Sequence, residues 1–252
     1  MLATIQLHGQ HYQFNLSAPI DISIPLKEGL DTVNCFYAPL METAPVVAGS
    51  FIGSTQEGGA VNFLNVKLNP HGNGTHTECV GHIAKEPYTI NQSLRQFHFA
   101  AILVSIFPQR QSNGDRVILK QQLEEVFPED FVPEAFIIRT MPNDNLKLKT
   151  NYSGANPPYL DAEAIAFLVD RGIKHLLVDL PSVDREEDGG KLLAHRAFWQ
   201  YPAHTRTDCT ISELIYIDNK VKDGHYLLNI QIASFEIDVS PSKPILYKLI
   251  KI

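Results

Sequence analysis

Cysteine is scarce in this chain: Cys35, Cys79 and Cys209 are the only three in 252 residues. So sparse and odd-numbered a set argues against a disulfide framework and for a reducing, cytoplasmic setting. Positive charge is also in short supply. The 21 Lys and Arg residues against 28 Asp and Glu give a formal charge of -7, which leaves no basic footprint for nucleic-acid phosphates. Long apolar runs are missing as well. The longest, residues 100–107 and 176–180, are far too short to cross a bilayer, so no membrane partner is expected. Residues 1–16 show no basic segment followed by an apolar run, and no signal peptide is expected there. No linker or internal repeat interrupts the sequence. A single domain over residues 1–252 is expected, long enough to bury a sizeable core. With 44% hydrophobic and 19% charged residues, the composition is that of a soluble globular protein.

What the chain does have is concentrated between His71 and His82, in the stretch His-Gly-Asn-Gly-Thr-His-Thr-Glu-Cys-Val-Gly-His. Three imidazoles, one carboxylate and three glycines share twelve residues. Imidazole and carboxylate together suit zinc, manganese or iron. His76 and Glu78 are two apart, so on an extended segment they point to the same side. Gly72 and Gly74 would let His71 fold back toward them, and Gly81 would ease the bend to His82. A metal with open positions acidifies water and polarises a carbonyl. The plainer alternative is a polar, glycine-rich surface turn with incidental histidines.

Around this motif the pattern reads as α/β, rich in strands and poor in helices. Residues 20–26, 61–68, 97–107, 135–140 and 175–180 read as strands, and 27–60 as loop with short strands. Helices are expected over 120–127, stopped by Pro128, and over 161–171, capped by Asp161 and ended by Gly172. Strand, helix and strand between 135 and 180 make a parallel crossover unit. The tail, with 213–217, a turn at 222–225 and 226–232, is strand-rich.

Two further places hold chemistry-bearing residues. Asp179-Leu180-Pro181-Ser182-Val183-Asp184 follows a buried strand, where open α/β sheets build their sites, and Ala194-His195-Arg196-Ala197 comes soon after. Glu213 interrupts the apolar run 211–217, either on a wet strand face or as a ligand in a core-lined site.

Taken together these segments resemble the cyclase family of metal-dependent hydrolases, which includes bacterial kynurenine formamidases and isatin, amide and lactone hydrolases. Gly74-Thr75-His76-x-Glu78-x-x-x-His82 is similar to the family's His-x-Gly-Thr-His-x-Asp-x-x-x-His signature. Asp21-Ile22-Ser23, Ile138-Arg139-Thr140, the 179–184 segment, Ala194–Ala197 and Ser212-Glu213-Leu214 resemble its other landmarks. The resemblance implies a swivelling β/β/α-type single domain with mixed sheets and few helices. It implies a homodimer or homotetramer acting on a small-molecule substrate, with one or two divalent ions, Zn or Mn. It makes His76 and Glu78 metal ligands, His195 and Glu213 ligands of a second ion, and His82 the group that handles protons, with Glu213 also catalytic. Gly72 stands where the family has its first histidine, and His71 lies one residue earlier. Glu78 replaces an aspartate and Val80 a proline. A single ion held by His71, His76 and Glu78 is therefore a second version of the same expectation.

The expected reaction is attack of activated water on an amide, lactone or ester carbonyl. Phe36 and Trp199 are candidates for an aromatic wall of the substrate pocket, although aromatics more often simply pack. Three alternatives stay open at this stage. One is a cysteine hydrolase using Cys79 between His76 and His82. Another is a non-catalytic binder of a metal or small molecule, and the third a metal-dependent cyclase or dehydratase.

Overall fold

The computed structural model describes all 252 residues. Its centre is a nine-stranded mixed sheet. In chain order the strands are β1 (Ile20–Asp21), β2 (His76–Glu78), β3 (His98–Ile106), β4 (Ala135–Thr140), β5 (His175–Val178), β6 (Thr210–Glu213), β7 (Gly224–Asn229), β8 (Val239–Pro241) and β9 (Ile245–Lys248). Across the sheet they run β8-β2-β6-β5-β4-β3-β7-β9-β1. The four middle strands, β3 to β6, are parallel. Antiparallel neighbours extend both edges, with β2 and β8 beyond β6 and β7, β9 and β1 beyond β3.

The helices are few and short. They are α1 (Pro70–Asn73), α2 (Ile90–Ser93), α3 (Lys120–Val126), α4 (Ala162–Asp170) and α5 (Leu193–Trp199), and none is long and apolar enough to cross a membrane. The middle strands read as continuous apolar runs because both of their faces are covered. On one face Ile102, Val104, Phe136, Ile138, Leu176 and Val178 pack against Ile165 and Leu168 of α4 and Phe198 and Trp199 of α5. On the other, Ala101, Leu103, Ile137 and Leu177 cluster with Ile90 of α2 and with Leu94, Ile215 and Ile217 from the loops. Fold class, crossover unit and scarcity of helices are as the pattern predicts.

The differences have local causes. Of residues 20–26 only Ile20–Asp21 is strand; Ser23 makes an isolated bridge to Ile215, the Ile24 N–H goes to the Thr75 hydroxyl, and Pro25 has no N–H to continue a ladder. Of 61–68 only Leu64–Lys67 is strand, and it pairs with Glu42–Pro45 in an exposed arm rather than in the main sheet. The strand expected over 213–217 instead ends on Glu213, because Leu214 turns to φ 52°. Asp161 occupies the N-cap of α4 without a side-chain cap bond. A hairpin of Leu2–Leu7 and Gln10–Asn15, joined by Ile250–Lys251, closes one side.

His175, the first residue of β5, is a structural histidine with a testable consequence. Its ring lies 3.8 Å from that of Phe99 and its Nδ1 is 2.9 Å from Thr210 Oγ1. Burial, helped by Lys174, pushes its pKa down to about 3, so it folds neutral. The unfolded chain protonates it near pH ~6.5. This contribution to stability is therefore complete above that pH and is lost as pH falls toward 3. Over that window the slope is at most about 1.4 kcal/mol per pH unit. A His175→Gln protein is expected to show a correspondingly flatter acid limb when unfolding free energy is measured against pH. An unchanged slope would refute the assignment.

Candidate metal centre

The site forms at the carboxyl ends of the parallel strands, where β2 crosses beside β6. Antiparallel register sets His76 directly opposite Glu213, and Glu78 opposite Ile211. Thr75 locks the entry to β2: its hydroxyl donates to the Leu214 carbonyl and accepts from the Ile24 N–H. Pro70 opens α1, Asn69 caps it by accepting from the Gly72 N–H, and His71 is carried on its single turn. The glycines serve here by lacking a side chain, not by bending. A Cβ at Gly72 would stand 2.2 Å from Ala38 Cβ, and one at Gly81 2.2 Å from the Tyr88 carbonyl oxygen. Gly74 has φ 161°, ordinary extended backbone.

Six acid and imidazole side chains of the predicted set converge. Glu78 is central and fully buried. Its Oε1 lies 3.1 Å from His195 Nε2, and its Oε2 lies 3.2 Å from His71 Nδ1 and 3.6 Å from His82 Nδ1. His76 Nε2 is 3.3 Å from Glu213 Oε2, and His195 Nε2 is 3.9 Å from Glu213 Oε1. Burial alone would raise the Glu78 pKa. His82, His195 and His71 outweigh it and hold the carboxyl well below the usual range. Burial would likewise lower the pKa of His195, but Asp184 and Glu78 override it and raise it to about 10.

The outer nitrogens are held in turn. His76 Nδ1 donates to the Gly74 carbonyl at 3.0 Å, which turns Nε2 inward. Asp184 accepts from the backbone of Ala194 and His195 and from His195 Nδ1 at 2.6 Å, fixing both α5 and the ring. The Val183 N–H donates to Glu213 Oε1 at 2.9 Å.

Within this cluster two buried atoms are left without a hydrogen-bond partner, His76 Nε2 and Glu78 Oε2. Glu78 Oε2 and His71 Nδ1 are close without the alignment of a hydrogen bond. Native interiors rarely leave such atoms unpaired. One ligand atom each from His71, His76 and Glu78 lies within 4.8 Å of the others, as does one each from Glu78, His82 and His195. The donor set of imidazole nitrogens and carboxylate oxygens, with its outer nitrogens already engaged, fits a divalent metal.

A cavity of about 210 Å³ opens on this cluster, lined by Phe36, His71, His82, Ser182, Leu192, His195 and Glu213. Larger hollows of about 430 Å³ beside His175 and about 550 Å³ beside Tyr216 contain none of these groups. Phe36 and Leu192 line the cavity with left-handed backbones, φ 56° and 50°. Bulky residues there are strained, a condition that clusters at functional sites.

One sequence expectation and one alternative reading fail here. Trp199 does not line the cavity. It is wholly buried behind His195, its ring stacked at 5.5 Å and its indole N–H given to the Cys209 carbonyl. Cys79 is no nucleophile, for it lies in the hydrophobic core on the far side of β2, and burial raises its thiol pKa. Two site residues were not anticipated. The sequence offers Asp184 only as the last residue of the 179–184 segment. Asp238, 2.9 Å from His71 Nε2 and 3.5 Å from His82 Nδ1, gave one signal: an acid set between Ile237 and Val239.

The chain matches the family model described as "Putative cyclase" over residues 20–185. It is 27% identical over 194 residues to a kynurenine formamidase of Bacillus thuringiensis (strain Al Hakam), covering 77% of this chain and 83% of that one. A kynurenine formamidase of Bacillus cytotoxicus is 28% identical over 196 residues, with 77% and 84% covered. Among solved structures, a potential metal-dependent hydrolase with cyclase activity superposes with TM-score 0.65 at 14% identity, over 91% of this chain and 97% of the other. Isatin hydrolase A from Labrenzia aggregata, bound to benzyl benzoate, gives 0.64 at 15% identity, over 91% and 93%. The two structures share its fold. With the family match covering more than half its length, from β1 to the loop that carries Asp184, the chain belongs to the cyclase family.

Proposed function

We propose that this protein is a metal-dependent hydrolase that cleaves an amide, lactone or ester bond of a small substrate. The observation that carries this reading is the pair of unpartnered buried atoms, His76 Nε2 and Glu78 Oε2, set among three further imidazoles and Glu213. The relatives named kynurenine formamidase and isatin hydrolase favour the amide among these bonds. His71, His76 and Glu78 would hold one ion, zinc or manganese. His195 and Glu213, sharing Glu78, would hold a second.

A divalent cation there supplies the Lewis acidity that makes water nucleophilic near neutrality and polarises a carbonyl. The residues do the rest. His82, at the cavity wall, takes a proton from the attacking water on a ring nitrogen and returns it to the leaving nitrogen or oxygen. The water oxygen first bonds to the carbonyl carbon, and the C–N or C–O bond then breaks as the leaving atom takes the proton from His82. Glu213, pinned by the Val183 N–H, keeps His76 and His195 facing the centre. Phe36, 41% exposed at the mouth, offers a flat apolar surface to the substrate. Three free, buried cysteines suit a reducing, cytoplasmic setting. Self-association belongs to the same reading. Val47, Phe63 and Val66 expose apolar surface along the 42–67 arm, which a second copy in a homodimer or homotetramer would cover.

The test is protein purified without a histidine tag, its metal content measured, then assayed with aryl formamides, lactones and isatin in the presence of Zn²⁺ or Mn²⁺. We expect one or two equivalents of metal and hydrolysis of at least one class, abolished by chelation. Protein indifferent to both metals would overturn the reading. Metal uptake with no turnover of any class would leave a non-catalytic binder.

A further inference from the structure

We infer that Asp238 is a positioning residue that turns His71 into a ligand through Nδ1, whereas His76 and His195 face the centre through Nε2. The inference rests on the metal reading above and concerns how this chain completes its ligand set.

The three rings are held in opposite senses. His76 gives Nδ1–H to the Gly74 carbonyl and His195 gives Nδ1–H to Asp184, so both present Nε2 inward. His71 is reversed. Its Nε2 lies 2.9 Å from Asp238 Oδ2, while its Nδ1 lies 3.2 Å from Glu78 Oε2. An ionised carboxylate can only accept a hydrogen bond, so the ring proton belongs on Nε2 and the lone pair on Nδ1. Glu78 Oε2, 3.2 Å from that nitrogen and with no donor aligned on it, is the second ligand atom that a cation between them would take.

The chain has a steric reason for this arrangement. No side chain fits at position 72, where a Cβ would collide with Ala38, so the imidazole comes from position 71 on the turn of α1. Nδ1 is bonded directly to Cγ and Nε2 is farther along the ring. A histidine carried close to the centre therefore ligates through the nearer nitrogen and needs an acceptor behind the farther one. Asp238 is that acceptor, and backbone pairing puts it there. Val239 sits opposite Glu78 in β8, and the Cys79 N–H donates to the Asp238 carbonyl at 3.0 Å. The family match ends at residue 185, so Asp238 lies outside it.

The test is long-range ¹H–¹⁵N correlation on ¹⁵N-histidine protein loaded with Zn²⁺, with His71→Gln identifying the His71 signals, together with zinc titrations of Asp238 variants. His71 is expected to carry its proton on Nε2 alone, with His76 and His195 carrying theirs on Nδ1. Asp238→Ala is expected to weaken zinc binding about 10–100-fold and to lose the His71 pattern. Asp238→Asn, whose Oδ1 still accepts from Nε2–H, is expected to restore most of that affinity, which a defect in folding would not allow. A proton on His71 Nδ1, or on both nitrogens, in the zinc-loaded protein overturns the inference. So does an Asp238→Ala protein that binds zinc like wild type. Asn as damaging as Ala also overturns it, and makes Asp238 itself a ligand beside His71 and His82. Wild-type protein that takes up no zinc overturns the metal reading first, which separates the two failures.

Discussion

A Glu78→Gln protein is expected to bind zinc or manganese more than about 100-fold more weakly than wild type, and to lose hydrolysis with it. Loss of an outer partner of a ligand typically costs about 10–100-fold in metal affinity, and Glu78 is no outer partner. It is fully buried, and its two oxygens face His71, His82 and His195 at 3.1 to 3.6 Å. Glutamine keeps the volume but replaces one acceptor with an N–H donor. That donor would either occupy an imidazole lone pair that the metal needs or face the cation, which repels it. The metal-free protein suffers too, because removing one partner of a buried ion pair costs about 3–5 kcal/mol. Calorimetric zinc titration well below the unfolding transition separates the two effects. Glu78→Asp refines the result. It keeps the charge and shortens the reach, so it should retain more affinity than Gln and less than Glu. A Gln variant within about 10-fold of wild type would remove Glu78 from the ligand set.

The parts of this site that could be read from the sequence are those whose geometry is local. His76 and Glu78 share a strand face because they are two residues apart, and His82 follows in the next turn. His195 and Glu213 could be read only through resemblance. Their approach to Glu78 depends on which strands become neighbours, and periodicity does not encode that. Asp238 lies farther still along the chain and meets His71 only because β8 pairs with β2. Its signal, an acid flanked by Ile237 and Val239, is the same kind that made Glu213 conspicuous. The role of the glycines was misjudged for a related reason. Flexibility is a property of the residue, whereas the need for empty space at Gly72 and Gly81 is set by Ala38 and Tyr88.

Trp199 illustrates the converse. In the sequence it is, with Phe36, a candidate for an aromatic pocket wall. In the fold it lies on α5, a helix that the sequence pattern did not reveal, together with Phe198 and Ala194 in the core. Its use is indirect, as a flat support under the His195 ring. The N-terminal hairpin was legible in principle. His8 and Gly9 both take left-handed backbones at its turn, which is the geometry that matches strand twist.

His82→Ala is expected to lower kcat by about 10²–10⁴-fold while leaving metal content unchanged. The argument rests on how differently this ring is held from the others. His76 and His195 are almost wholly buried, and each has its Nδ1 engaged at 3.0 Å or less. The His82 side chain is 31% exposed, against 0% for His76 and 2% for His195. Its Nδ1 stands off from Glu78 and Asp238 at 3.6 and 3.5 Å, while the ring borders the cavity 4.4 Å from His71 and 5.3 Å from His195. A ring held that loosely makes a poor permanent ligand and a good carrier, since it can face the attacking water and then the leaving group. Added imidazole should restore part of the rate to the alanine variant. Full hydrolysis by His82→Ala would exclude the proton-transfer role. A parallel loss of rate and metal would instead place His82 in the ligand triad that Glu78 and His195 also allow.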